Sequence, residues 1–158
     1  MKKLCNNFAA FAFFILLSIG STMSLAQEKS LSPFQWDYRP LVIFTPSIDD
    51  EAFLEQFEEI NAHLPGFYDR DMLRVRVTKG TEKASLHART LPNLTPDKIP
   101  ETKTLYETYN VPADEFAVIL VGKDGTEKIR WSEPVEMEDV FSKIDSMPMR
   151  KREMAEGK

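Results

Sequence analysis

The sequence is almost without cysteine. Its 158 residues include one, Cys5, in an N-terminal segment that we expect to be removed. A cysteine thiolate is the nucleophile of disulfide and peroxide chemistry, so the rest of the chain is predicted to lack thiol-dependent redox activity. It also lacks a cysteine pair for a disulfide, so the fold must be stabilised by its apolar core alone.

Histidine is scarce as well. His63 falls late on a predicted helix, and His87 falls in a long polar loop. A metal pair would require both imidazoles to converge with carboxylates, and two isolated histidines are more often solvated or capping residues. We therefore expect no metal site and no bound cofactor, and we assign no catalytic residue.

Positive charge is limited. Removing Lys2 and Lys3 from the 20 basic residues leaves 18 against 25 acidic residues, a net charge of −7 for the chain beyond residue 26. Nucleic acid binds basic surfaces, so it is not an expected partner. A protein or a small ligand remains as the partner class, with no identity assigned.

A long apolar run occurs only near the N-terminus. Lys2 and Lys3 precede apolar residues 8–19, and Ser24-Leu25-Ala26 matches a small-x-small cleavage site. The run is shorter than the roughly 20 residues that span a bilayer. We therefore predict a signal peptide over residues 1–26, a mature chain from Gln27 without stable membrane insertion, and a periplasmic or secreted location.

The mature chain contains several strand patterns. Continuous apolar runs at residues 41–44 and 116–121 predict strands that are buried on both faces. Apolar residues alternate with arginines over residues 73–77, which predicts a strand with one open face near a sheet edge. Gly122-Lys123-Asp124-Gly125 predicts a hairpin that leads into residues 126–131.

Helical spacing of apolar residues predicts three helices. The first covers residues 53–64, begins after a capping-box-like Ser47-Ile48-Asp49-Asp50 segment and ends at Gly66. The others cover residues 101–109 and 134–144. Residues 79–100 are polar and proline-rich, which predicts a functional or mobile loop, and the tail from about residue 150 is predicted to be disordered.

The order is therefore strand, helix, strand, loop, helix, strand, strand, helix. A helical crossover makes the first strand pair parallel, and a tight hairpin makes the last pair antiparallel. We predict a single α/β domain over residues 27–158. Its fold is a thioredoxin-like three-layer sandwich, with a mixed central sheet of about four strands and flanking helices.

Four segments carry a family resemblance. Residues 39–46, 69–71, 116–125 and 144–148 resemble the P-DUDES family, domain of unknown function 4174, over nearly the whole mature chain. The resemblance implies a thioredoxin-like or peroxiredoxin-like fold in exported bacterial proteins. It also implies a relation to domains of animal extracellular matrix and sushi-repeat proteins. It supplies no established activity or catalytic residue.

The end of the first strand is where thioredoxin-like enzymes place their nucleophile, at a helix N-terminus. This sequence has Thr45-Pro46-Ser47-Ile48 there. A hydroxyl cannot replace the thiolate, and the carboxylates of residues 49–51 would repel an anionic intermediate in the first helical turn. Asp114-Glu115 precede Phe116, where thioredoxins have a proline, so a thioredoxin-type peptide groove is not expected.

Several residues remain as binding candidates. Arg39, Arg70 and Arg74 could gather at strand ends and bind an anion, or could pair with local acids such as Asp71 or Glu51. Aromatic residues could form a ligand surface or only pack at its rim, namely Trp36, Tyr38 and Trp131. The candidate set for binding is Arg39, Thr45, Ser47, Arg70, Asp71 and Trp131.

Two functions remain open. One is an exported non-redox binding or structural module, which recognises a protein or small ligand through the long loop and the strand-end surface. The other is an enzyme of peroxiredoxin-like descent that uses a cofactor or a non-cysteine mechanism centred on Thr45, Ser47, Arg39 and Arg70. The lack of a competent redox group favours the first.

Overall fold

The computed structural model describes residues 30–157, so the predicted signal peptide lies outside the described residues. The five strands are β1 (Arg39–Thr45), β2 (Met72–Thr78), β3 (Ser85–His87), β4 (Ala117–Val121) and β5 (Glu127–Trp131). The α-helices that lie wholly within residues 30–157 are α1 (Glu51–Ala62), α2 (Leu64–Asp69), α3 (Thr102–Tyr109), α4 (Met137–Asp145) and α5 (Pro148–Ala155). Within this part of the chain no helix is both long and apolar enough to cross a bilayer.

The strands form one mixed sheet in the order β3-β2-β1-β4-β5. β1 pairs in parallel with β2 and antiparallel with β4, and the β4–β5 hairpin is antiparallel, as the sequence predicts. All residues of β1 and β4 are buried, because both strands have neighbours on each side and helices on each face. The two apolar runs therefore form the centre of the sheet.

Core residues lie on both faces of the sheet, since neighbouring residues of a strand face opposite sides. On one face Val42 and Phe44 of β1 pack against α3 residues Leu105 and Tyr109. On the other face Leu41 and Ile43 belong to a cluster with apolar residues of α1, α2 and α4. This layering confirms the predicted α/β sandwich with flanking helices and is consistent with a thioredoxin-like fold.

Three details differ from the sequence-based prediction. The sheet has five strands instead of about four, because β3 forms inside the predicted loop and covers the outer edge of β2. The first predicted helix is two helices, with Gly66 inside α2. The face of β2 that was predicted to be open to water is partly covered by α1: Arg74 is half-buried and stacks over the ring of Phe57 at 4.5 Å from its centroid.

The C-terminal segment is also ordered. α5 takes the place of the disordered tail that we expected from about residue 150. Its Arg150 is only 4% exposed, and its Glu153 reaches Arg39 at the start of β1. The charged sequence suggested solvation, but these charges meet opposite charges supplied by distant segments of the chain.

A buried hydroxyl in this fold gives a first testable prediction. Tyr109 Oη has no hydrogen-bond partner among the described residues, and burial raises the pKa of this hydroxyl. An unsatisfied buried polar group costs about 1–3 kcal/mol. Tyr109→Phe keeps the ring contact with Phe44 and is expected to leave the free energy of unfolding unchanged or to raise it by about 1 kcal/mol.

The matched control is Tyr38→Phe, because the hydroxyl of Tyr38 donates a hydrogen bond to the Thr90 carbonyl at 2.5 Å. Its removal should lower the free energy of unfolding by about 0.5–1.5 kcal/mol. Denaturant unfolding of both variants makes the comparison. A loss for Tyr109→Phe as large as that for Tyr38→Phe would contradict the assignment.

Candidate functional site

The six residues predicted as binding candidates do not form one site. Arg39 and Thr45 are the first and last residues of β1, so six steps of about 3.3 Å place them roughly 20 Å apart. Arg70 and Asp71 precede β2, whose first residue pairs with Arg39. Ser47 lies two residues beyond Thr45. Trp131 pairs with Val118, itself opposite Ile43, so it lies towards the Thr45 end.

At the Thr45 end, the hydroxyls serve the backbone. Thr45 is fully buried, and its Oγ1 donates to the Ser47 carbonyl at 2.6 Å, while Ser47 Oγ accepts from the Asp49 backbone N–H at 3.2 Å. Asp50 caps α1 by accepting from the Phe53 N–H. The prediction that three carboxylates lie in the first turn of this helix is wrong, because only Glu51 lies in that turn.

At the Arg39 end, charged side chains form an ion-pair network. Arg39 is 1% exposed and pairs with Glu153 at 2.9 Å, and Glu153 also binds Lys123 at 2.9 Å. Lys123 makes a further ion pair with Asp71 at 2.8 Å. From the sequence we expected the arginines to pair with nearby acids such as Asp71 or Glu51. The carboxylate that pairs with Arg39 is instead Glu153.

The second half of this network centres on Asp145 at the end of α4. Both oxygens of Asp145 accept hydrogen bonds from Arg70, at 3.0 and 2.6 Å, and Arg150 adds an ion pair at 3.4 Å. Arg150 also pairs with Asp69. Four cations thus face four carboxylates, so the arginines are neutralised internally and are not an open anion site.

Two carboxyl groups in the ion-pair network have shifted pKa values. Burial pushes the pKa of Asp145 upward, but hydrogen bonds from Arg70 and Arg150 outweigh it and hold the pKa below its usual range. The same balance lowers the pKa of Glu153, with Lys123 and Arg39 as the hydrogen-bond donors. Both groups therefore stay ionised at neutral pH. Asp145 joins α4 to α5 and to the turn between α2 and β2, and Glu153 joins α5 to β1.

Beside this network lies a cleft of about 460 Å³, which we call the aromatic cleft. Its volume falls within the range of small-ligand sites, roughly 300–1,000 Å³. Aromatic side chains contribute much of its lining, and charged groups of both signs stand among them. It is lined by Trp36, Asp37, Tyr38, Tyr68, Asp71, Met72, Arg89, Thr90, Pro92 and Lys123.

Several polar groups of the aromatic cleft are fixed and others are free. Tyr68 Oη lies 2.9 Å from His87 Nε2, and burial together with Arg74 lowers the pKa of His87. The side chains of Asp37 and Arg89 are exposed and make no hydrogen bond or ion pair with any residue between 30 and 157. Within the described residues, the cleft therefore combines aromatic side chains with a carboxylate and a guanidinium group that have no partner.

The backbone of the aromatic cleft is unusual at two positions. Trp36 and Asp71 both have positive φ angles, 71° and 49°, in the left-handed region that is uncommon for residues other than glycine, and more so for Trp than for Asp. A hydrogen bond from the Trp36 N–H to the Lys123 carbonyl, 2.7 Å long, holds the first of them. This conformation leaves the indole 61% exposed. Such backbone positions concentrate at ligand sites.

The two histidines do not converge. His87 lies on β3 beside Tyr68, whereas His63 caps α1 and stands between two carboxylates, Glu59 and Glu138. A hydrogen bond to the Glu59 carbonyl and the two nearby carboxylates raise the pKa of His63. Of the three aromatic residues predicted to form a ligand surface or to pack at its rim, Trp36 and Tyr38 line the aromatic cleft, whereas Trp131 does not.

The sheet and its flanking helices define an α/β protein with a mixed five-stranded sheet, consistent with a thioredoxin-like sandwich. The family described as Domain of unknown function (DUF4174) matches residues 30–153. The chain belongs to this family, which confirms the family resemblance of the sequence. No solved structure matches the chain significantly.

Proposed function

We propose that this member of the family is an exported, non-redox binding module whose ligand site is the aromatic cleft. The observation that carries the proposal is the combination in one cleft of an exposed Trp36 with a cation, Arg89, and an anion, Asp37, neither of which has a partner among residues 30–157. Aromatic faces bind flat groups, and a few placed polar groups fix their orientation. The ligand is therefore a flat group with polar or charged substituents, free or displayed on a protein.

The position of a redox nucleophile supports the non-redox part of the proposal. Beyond Cys5 the chain has no cysteine, and Thr45 and Ser47 stand at the end of β1. Their hydroxyls are engaged with the backbone of the turn into α1. Among residues 30–157, neither hydroxyl has a carboxylate or imidazole as its hydrogen-bond partner, so neither is activated for nucleophilic attack.

The alternative enzyme has less support. A non-cysteine mechanism centred on Thr45, Ser47, Arg39 and Arg70 requires these groups to reach one substrate. The length of β1 separates the two hydroxyls from the two arginines by roughly 20 Å. Both arginines are also occupied by carboxylates.

One preparation tests export and redox inactivity together. Protein recovered from the periplasm or the medium should have the mass of a chain whose first residue is Gln27. The same protein should neither reduce insulin disulfides nor consume peroxide. Thioredoxin in the same assay is the positive control. An intact Met1 in the membrane fraction would contradict export, and a turnover that Ser47→Ala abolishes would favour the enzyme instead.

A further inference from the structure

Three side chains with metal-ligand chemistry meet where α1 and α4 pack together. Glu59 and His63 are one turn apart at the end of α1, and Glu138 lies in the first turn of α4. One ligand atom from each residue lies within 4.8 Å of the other two. This cluster combines an imidazole nitrogen with two carboxylates, which distinguishes it from a purely acidic surface.

The contacts of His63 determine which ring nitrogen is available. Nδ1 lies 2.9 Å from the Glu59 main-chain carbonyl, which can only accept, so Nδ1 carries the hydrogen. In the neutral ring, Nε2 then presents a lone pair to Glu138 Oε1 at 2.9 Å. A metal ion bound to Nε2 would therefore have a Glu138 carboxylate oxygen within reach, and Glu59 Oε1 lies 3.2 Å from Nδ1 of the same ring.

The surroundings of this cluster resemble the outer shell of a metal site. A ligating histidine usually donates its second ring N–H to a carbonyl, as His63 does. Ligating carboxylates are also held by hydrogen bonds, and Glu59 Oε1 accepts one from the Met137 backbone N–H at 2.8 Å. A cavity of about 290 Å³ shares Glu59 and adds the carboxylates of Glu55, Glu58 and Glu136.

We propose that Glu59, His63 and Glu138 bind a divalent transition-metal ion of the Zn²⁺ class. One nitrogen and two oxygen ligands suit Zn²⁺, whereas Ca²⁺ and Mg²⁺ require oxygen ligands only. Three protein ligands leave one coordination position for water or another ligand. The Glu138 side chain is 66% exposed, so it can rotate to close the site around the ion. This proposal replaces the sequence-based expectation of no metal.

Isothermal titration of the mature chain, residues 27–158, with ZnCl₂ tests the proposal. The wild type and the control His87→Ala should bind one equivalent with equal affinity, whereas His63→Ala and Glu138→Gln should each bind at least about tenfold more weakly. Co²⁺ should give visible absorption bands in the wild type that both cluster variants lose. Glu138→Gln changes only an exposed side chain, so it reports on the site without a folding defect.

Three outcomes would overturn the metal site. The first is the absence of Zn²⁺ binding by the wild type, and the second is equal Zn²⁺ affinity in the wild type and both cluster variants. The third is Ca²⁺ binding as tight as that of Zn²⁺ and unaffected by Glu138→Gln, which would identify a general acidic surface. His63→Ala and Glu138→Gln change no residue that lines the aromatic cleft, so these outcomes are independent of the binding function proposed above.

Discussion

Ile119→Ala is expected to lower the free energy of unfolding by roughly 2–5 kcal/mol, the usual range for a large-to-small change in a core. Ile119 is fully buried at the middle of β4, where it pairs with Val42 of β1 and packs in the core layer beneath α3. β1 and β4 are each held by a strand on both sides, so they cannot shift to fill the cavity that alanine leaves. Denaturant midpoints at unchanged slope measure the loss.

Two further variants calibrate this prediction. Ile119→Val removes a single methylene group and should cost about 0.5–1.5 kcal/mol. Lys83→Ala changes an exposed residue beyond β2 and should stay within about 0.5 kcal/mol. Equal losses for Ile119→Ala and Lys83→Ala would contradict the placement of β4 in the centre of the sheet.

Glu153→Ala is expected to have the second-largest effect, a loss of about 3 kcal/mol, because breaking a buried ion pair leaves an uncompensated charge. Arg39 is almost completely buried, and Glu153 is its carboxylate partner at 2.9 Å. Breaking a buried ion pair usually costs about 3–5 kcal/mol. Arg39 keeps its hydrogen bond to the Arg70 carbonyl, so we expect a loss at the lower end of that range. Lys151→Ala, an exposed change on the same helix, is the control for denaturant unfolding.

The effect of Glu153→Ala should depend on pH. The pKa of Glu153 is lower in the folded protein than its ordinary value of about 4.5. The ion pair therefore stabilises the protein fully at a pH above about 4.5, and this stabilisation is lost as the pH falls through the pKa of the folded state. The difference in free energy of unfolding between wild type and variant should therefore narrow from pH 7 towards about pH 3. A difference that stays constant over this range would contradict the charged state assigned to Glu153.

The central fold could be predicted because its signals are local. The apolar runs of β1 and β4 and the turn between β4 and β5 are each visible within a few residues. β3 has three residues and no core of its own, so its sequence resembles a loop. The sequence of α5 is typical of a disordered charged tail. The helix is stabilised by ion pairs with residues in other segments, Arg39 and Asp69 among them, which its own sequence does not show.

The candidate site was harder to predict than the fold. The aromatic cleft takes residues from the lead-in to β1, from α2, from the loop after β3 and from the β4–β5 turn. Trp36 and Tyr38 were visible as an aromatic pair, but no sequence spacing connects them to Tyr68 or Arg89. Arg39 and Arg70 suggested an anion site because no carboxylate partner could be assigned to them from the sequence. Their partners, Glu153 and Asp145, lie more than 70 residues away in the chain.

The central claim is that the aromatic cleft binds a ligand. Native mass spectrometry of the mature chain recovered from the exporting cell tests it most directly, with Trp36→Ala and Arg89→Ala compared with the exposed control variants Leu54→Ala and Lys103→Ala. We expect a bound species at one equivalent on the wild type and both controls, and an affinity at least about tenfold lower for both cleft variants, a loss of about 1.4 kcal/mol or more. Equal occupancy in all five proteins, or no bound species on the wild type, would contradict it.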